Sequence, residues 1–164
     1  MGEARKVGVA VDYSECSRVA LQWAIDNVVR KGDHLILVNV LPEGIYEDVT
    51  EMQLWAVTGS PLIPLTDLCN PHVLKKYGTK PDPETLEIVS VAAVLKEVDV
   101  LMKVFWGDPR EKVCEAVDKI PLDCLIVGNR GHGKLKRVIM GSVSKHAVNH
   151  SSCPVTVVKH AHHT

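Results

Sequence analysis

Aromatic side chains are scarce in this chain of 164 residues: three Trp, three Tyr and one Phe. The core must therefore be built mainly from Val, Leu, Ile and Ala. Charge of one sign is not in excess either. The formal net charge of −1 gives the whole chain no bias towards nucleic acid or an anionic membrane, although a local basic patch stays open. No apolar run is long enough to span a bilayer. The start, MGEARKVGVAVD, has no signal-peptide apolar block, and MGEARK lacks the hydroxyl residue of a myristoylation signal. A cytoplasmic protein, or one passively nuclear as well, is expected, with neither nucleic acid nor membrane as partner. The five cysteines are odd in number and form no CxxC pair, which excludes a secreted disulfide framework and a cysteine zinc site. Cys114 and Cys124 fall in apolar patterns and read as buried free thiols.

What is present is an alternation. KVGVAV (Lys6–Val11) reads as a buried strand ended by Asp12. Ser14 then caps a helix with apolar residues at three–four spacing from Cys16 to Val28, stopped by Gly32. HLILVNVL (His34–Leu41) is a second buried strand, closed by Pro42. Residues 43–83 are a Pro-rich insertion, too long for a plain connection, with a short helix near Glu51–Val57 and a place over one face or rim. A helix follows over Glu84–Glu97, and a third strand over Val98–Trp106. Asp108 caps the next helix, with Pro109 in its first position and Glu111 placed for a capping box. Leu122–Val127 is strand four, Ser142–His150 a helix and Pro154–Lys159 strand five. No internal repeat or low-complexity tract interrupts this order, and one domain over 1–164 is expected.

Short buried strands joined by helices imply an α/β fold: an open five-stranded parallel sheet with helices on both faces. Ligands of such sheets bind beyond the carboxyl ends of the strands, where the strand order reverses. With strand one beside strand four the order is 3-2-1-4-5, and Asp12 shares a crevice with the glycines after strand four. Those glycines, Gly128, Gly131, Gly133 and Gly141, can take positive φ and bring N–H groups close to phosphate oxygens. Gly141-Ser142-Val143 opens a helix whose free N–H groups favour an anion. Arg130, His132, Lys134, Lys136 and Arg137 lie between, and some can neutralise phosphate charge.

Gly128 to Lys134 matches a Walker A loop except at its end, where Leu135 replaces Ser or Thr. The missing hydroxyl removes a Mg²⁺ ligand, and the next capping signal comes only at Ser142, so a P-loop is set aside. His146 and His150, four apart on one helix, lack the Glu of a zinc-protease motif and read as surface or packing residues.

The glycine pattern Gly128, two residues, Gly131, nine residues, Gly141-Ser142, followed by SSCPVTVVK, resembles the nucleotide-binding signature of the universal stress protein family. VGVAVDYSECSRVALQWA and WGDPREKV extend the resemblance over nearly the whole chain, and the insertion around WAVTGSPLIPL resembles plant single-domain members. The resemblance implies an adenine-nucleotide alpha-hydrolase-like fold holding ATP or AMP, with Mg²⁺ open for the ATP form, and a homodimer through strand five. It places Ala10 and Val11 beside the base and Asp12 on the ribose or adenine. Val40 and Val127 would pack on adenine. Gly128, Gly131, Gly141, Ser142 and Val143 would surround ribose and phosphates, with Arg130, His132 and Gly133 in the same loop. Many relatives carry Pro or Ser where this chain has Ala10.

An adenine-nucleotide binder acting in stress response or signalling is the expected function. A slow ATP hydrolase or phosphotransferase is the alternative, although the sequence nominates no clear general base or paired carboxylates for turnover. A protein-interaction or chaperone module stabilised by nucleotide is the third reading. Val155, Val157 and Val158 give strand five apolar faces suited to pairing with a second copy.

Overall fold

Strands buried on both faces read as unbroken apolar runs, and two of them make the centre of this sheet. They are β1 (Lys6–Val11) and β2 (His34–Leu41), the latter with five consecutive buried residues. The computed structural model describes residues 4–43, 50–130 and 141–160, and the side chains of these except residues 50–53 and 130. The other strands are β3 (Ile63–Pro64), β4 (Asp99–Trp106), β5 (Cys124–Arg130) and β6 (Val155–His160). They form one sheet in the order β3-β4-β2-β1-β5-β6. All pairings are parallel except β3 with β4. The five expected strands thus stand in the expected order, and the sixth is an addition at the edge.

Two helical layers cover the sheet. Helix α1 (Glu15–Asn27) buries Ala20, Leu21, Ala24 and Ile25, and α5 (Pro83–Leu95) buries Val89 and Ala92, in one cluster with Val7, Val9, Leu35 and Leu37. On the other face α6 (Pro109–Lys119) and α7 (Ser142–His150) pack Val113, Ala116, Val117 and Ala147 against Ile36, Val38, Leu125 and Val127. The period-two alternation along β2 and β5 assigns neighbouring residues to opposite layers.

Local capping chemistry sets most helix starts. Ser14 Oγ accepts from Ser17 N at 3.2 Å, and Asp82 Oδ2 accepts from Thr85 N at 3.2 Å. Asp108 Oδ1 accepts from Arg110 N at 2.9 Å. Helix α1 stops sooner than Gly32: its cap is Val28, and Gly32 instead supplies a left-handed φ of +86° in the turn that follows.

Strand β5 also departs from expectation. Gly128 was expected to open a loop, yet it lies inside the strand, because Gly128, Asn129 and Arg130 continue the register with Val158, Lys159 and His160. Backbone pairing across the sheet outweighs the turn preference of one glycine.

The Pro-rich insertion runs along the rim. Its expected short helix is α2 (Thr50–Thr58), followed by β3, α3 (Leu65–Leu68) and α4 (Pro71–Lys75). Fully buried Ser60 seals the edge of β4. Its N–H donates to Val104 O at 2.8 Å, and its Oγ accepts from Val104 N at 2.8 Å. One sheet edge is thereby covered, whereas β6 pairs only with β5 among the described residues.

Candidate functional site

The strand order reverses at β1. The chain leaves β1 for β2 through α1 on one layer, and β5 enters on the other side of β1 with α7 on the opposite layer. The carboxyl ends of β1 and β5 and the starts of α1 and α7 therefore border one crevice.

Asp12 stands at the mouth, exposed. Its Oδ1 accepts from Ser14 N at 3.0 Å and from the Ser14 hydroxyl. Partial burial pushes its pKa up, but these bonds, with contributions from Ser17 and the Asp12 backbone, outweigh it and hold the carboxyl below its ordinary value. Asp12 is thus both a helix-start residue and a solvent-facing anion. The next residue, Tyr13, has φ +65°, a costly conformation for a bulky side chain. Three contacts hold it: Arg18 Nη1 donates to its carbonyl, and its hydroxyl lies 3.4 Å from Thr79 Oγ1 and 3.8 Å from Met102 Sδ. The insertion therefore reaches the turn beneath Asp12.

Across the crevice, the end of β5 is tied to the start of α7. Asn129 Oδ1 accepts from Gly141 N at 2.6 Å, and Ser144 Oγ donates to Gly128 O at 3.2 Å. Gly141 is the cap residue of α7, with φ −57°, and Ser142 is the first, exposed residue of the helix. Neither Gly128 nor Gly141 uses the positive φ expected of a phosphate-cradling glycine. Their missing side chains serve space instead. A Cβ on Gly128 would lie 2.6 Å from Cys16 O, and one on Gly141 would lie 3.2 Å from Asn129 Oδ1.

The apolar candidates divide between layers. Ala10, Val40 and Val143 are partly buried against the cluster that contains Val127, so these four share the α6–α7 side. Val11 is 3% exposed and belongs to the α1–α5 cluster, so the structure does not set its side chain beside Ala10. Arg130 ends β5, and its side chain lies outside the described set. Gly131, His132 and Gly133, together with Lys134, Leu135, Lys136 and Arg137, fall outside the described residues altogether.

A family model for the universal stress protein family matches residues 3–159. The chain belongs to the universal stress protein family. Universal stress protein PHOS34 of Arabidopsis thaliana is 33% identical over 173 residues, an alignment covering 97% of this chain and 63% of that relative. A solved universal stress protein family structure from Arabidopsis thaliana with AMP bound has a TM-score of 0.59 at 22% identity, covering 96% of this chain and 92% of that one. A universal stress protein in complex with cAMP has a TM-score of 0.57 at 20% identity, covering 96% and 98%. At these identities the structural likeness concerns the fold.

In this universal stress protein, three buried polar residues that belong to no motif tie the strand ends and α7 together. Asn39 is 2% exposed, pairs in register with Val11, and donates Nδ2 to Val11 O at 2.8 Å. Asn129 and Ser144 are buried and join β5 to α7. The available signal was a polar residue inside an apolar run, as in LVNVL, because a buried polar group must find a partner. Elsewhere, the His146 and His150 rings lie 4.3 Å apart, and no group of three or more metal-ligating side chains occurs among the described residues. Cys114 and Cys124 are half-buried rather than buried; Cys114 Sγ lies 3.5 Å from Ser151 Oγ, and burial pushes the Cys124 thiol pKa up. No helix among the described residues is long and apolar enough to cross a membrane.

Proposed function

We propose that this chain binds an adenine nucleotide, AMP or ATP, in the crevice between β1 and β5, and serves as a nucleotide-responsive protein in stress response or signalling. The observation that carries the reading is the adjacency of β1 and β5 at the point of reversal: Asp12 follows β1, and Asn129 of β5 bonds Gly141 at the start of α7. The free N–H groups of α7 favour a phosphate. Asp12 accepts hydrogen bonds from a ribose, and Ala10, Val40 and Val127 offer an apolar side to the base. Val11, Gly128 and Val143 line the same strand and helix ends. Arg130, Gly131, His132 and Gly133 complete the phosphate loop in this reading, and Mg²⁺ accompanies the ATP form. Family membership and the AMP and cAMP named for two neighbours support it. Cytoplasm, with passive nuclear entry, is the proposed location. Calorimetric titration of nucleotide-stripped protein is expected to give saturable heats with AMP or ATP, and none with equal concentrations of inorganic phosphate. Flat titrations with every adenine nucleotide contradict the proposal.

A homodimer through β6 is the second part of the reading, because β6 ends the sheet while β3 covers the opposite edge. Val155 and Val157 are half-buried, leaving apolar surface on a strand that pairs on one side only among the described residues. Val157→Lys is expected to halve the mass measured by light scattering while the melting transition remains cooperative. A dimer that persists in this variant rules out the β6 interface.

A further inference from the structure

Two buried carboxamides lie near the carboxyl ends of β2 and β5, and each uses one of its two polar atoms. Asn39 spends Nδ2 on Val11 O, and its Oδ1 has no partner among the described residues. Asn129, 4% exposed, spends Oδ1 on Gly141 N, and its Nδ2 has none. A buried polar atom left without a partner is costly, so each such atom calls for an explanation. The two differ in kind. The free atom of Asn39 is an acceptor, on the layer of Leu35 and Leu37. The free atom of Asn129 is a donor, on the layer of Leu125 and Val127, at the cap of α7. The N–H of Gly141 fixes which end of the carboxamide is oxygen, so the amino end must be the unspent one. An unspent donor at a helix N-terminus adds to the field that the helix itself presents to an anion. Gly141 keeps this arrangement open, because a side chain there would press on Asn129 Oδ1 at 3.2 Å.

We propose that Asn129 is a phosphate-reading residue: Nδ2 donates to an oxygen of an anionic phosphate held at the start of α7, while Oδ1 locks the Gly141 N–H in place. This rests on the nucleotide reading above. It assigns a side chain that distinguishes a nucleotide from its nucleoside.

Asn129→Asp separates the two functions of the carboxamide. The carboxylate still accepts from Gly141 N, but it presents an oxygen where the donor stood. AMP and adenosine are titrated by calorimetry into wild type and variant, with thermal melts alongside. Loss of one hydrogen bond to a charged oxygen corresponds to about tenfold or more in affinity. The Asp variant is therefore expected to bind AMP about tenfold or more weakly, with adenosine affinity held and the melting temperature lowered by the buried carboxylate. Unchanged AMP affinity overturns the assignment. Asn129→Ala is the second variant, for the case in which a carboxylate unfolds the site. It is expected to lower the AMP-to-adenosine affinity ratio, and equal loss of both ligands marks a merely structural residue and overturns the proposal. A wild-type protein that binds neither ligand fails the nucleotide reading itself, and this inference with it. Wild-type AMP binding with an unchanged ratio in the variants fails the inference alone.

Discussion

Gly128→Val is expected to lower the unfolding free energy by about 3 kcal/mol, at the upper end for overpacking a tight site. A Cβ at this position would lie 2.6 Å from Cys16 O and 3.1 Å from Cys16 C, with Ala20 Cβ at 3.4 Å. The obstacle is backbone, not the tip of a flexible side chain, so it cannot swing aside. That backbone is the first turn of α1, held by the Ser14 cap and by the bond from Ser17 Oγ to Ser14 O at 3.2 Å. Strand and helix must separate, or β5 must give up its register with β6. Gly128→Ala meets the same carbonyl with less bulk and is expected to cost about 2 kcal/mol. Urea unfolding without nucleotide is the decisive measurement. A lowered midpoint shows that the glycine is needed for close packing, and an unchanged midpoint refutes that role. Nucleotide affinity is then measured separately, so that lost binding is not confused with lost fold.

Asp33→Ala is expected to cost about 2–3 kcal/mol at neutral pH, because it removes several charge-assisted bonds at one nearly buried carboxylate. Asp33 is 5% exposed. It accepts from Arg5 Nε at 3.2 Å, from Arg5 Nη2 at 2.6 Å and from Arg30 N at 2.8 Å. Arg5 also donates to Val28 O at 2.7 Å, so the cluster binds the approach to β1, the end of α1 and the entry to β2. Arg5 is about one-third exposed and regains water when its partner is deleted, which keeps the loss below that of a fully buried pair.

The pH dependence follows from the direction of the shift. Burial pushes the Asp33 pKa up, but the hydrogen bonds from Arg5 and Arg30 and the charge of Arg5 outweigh it, so the folded value lies below the ordinary one. The unfolded chain thus takes up a proton at a higher pH than the folded chain. The stabilisation is complete above the unfolded value of about 4 and is lost as pH falls through the folded value. Stability curves of wild type and Asp33→Ala should run parallel near neutrality and converge below about pH 4. A gap that holds constant into acid refutes the assignment to the ionised carboxylate.

The elements that matched expectation are those whose signal is local. His34–Leu41 and Ser142–His150 have the same bounds in sequence and structure, as an apolar run closed by Pro42 and a helix opened by Gly141-Ser142 should. Ser14 and Asp108 cap the helices they were expected to cap, because a capping side chain needs only the next two or three amides. Composition likewise required a core of aliphatic residues, and the fully buried positions are mostly Leu, Ile and Val.

Other features depended on neighbours distant in sequence. Ile63–Pro64 carries no strand period, and it becomes β3 only because β4 offers a free edge. Gly128 read as the first loop residue, and pairing with Val158 made it strand. Its need for glycine comes from a carbonyl 112 residues earlier in the chain, that of Cys16. Asn39 interrupts an apolar run and Asn129 follows one, and only the packed sheet shows what their bonded atoms hold. Residue order along the chain is enough to write the periodicity, the caps and the alternation of strands with helices, since those follow from torsions and short-range bonds. Which glycine is crowded, which amide is buried and which edge is sealed follow from distances between remote segments, and those distances exist only once the sheet and its two helical layers have come together.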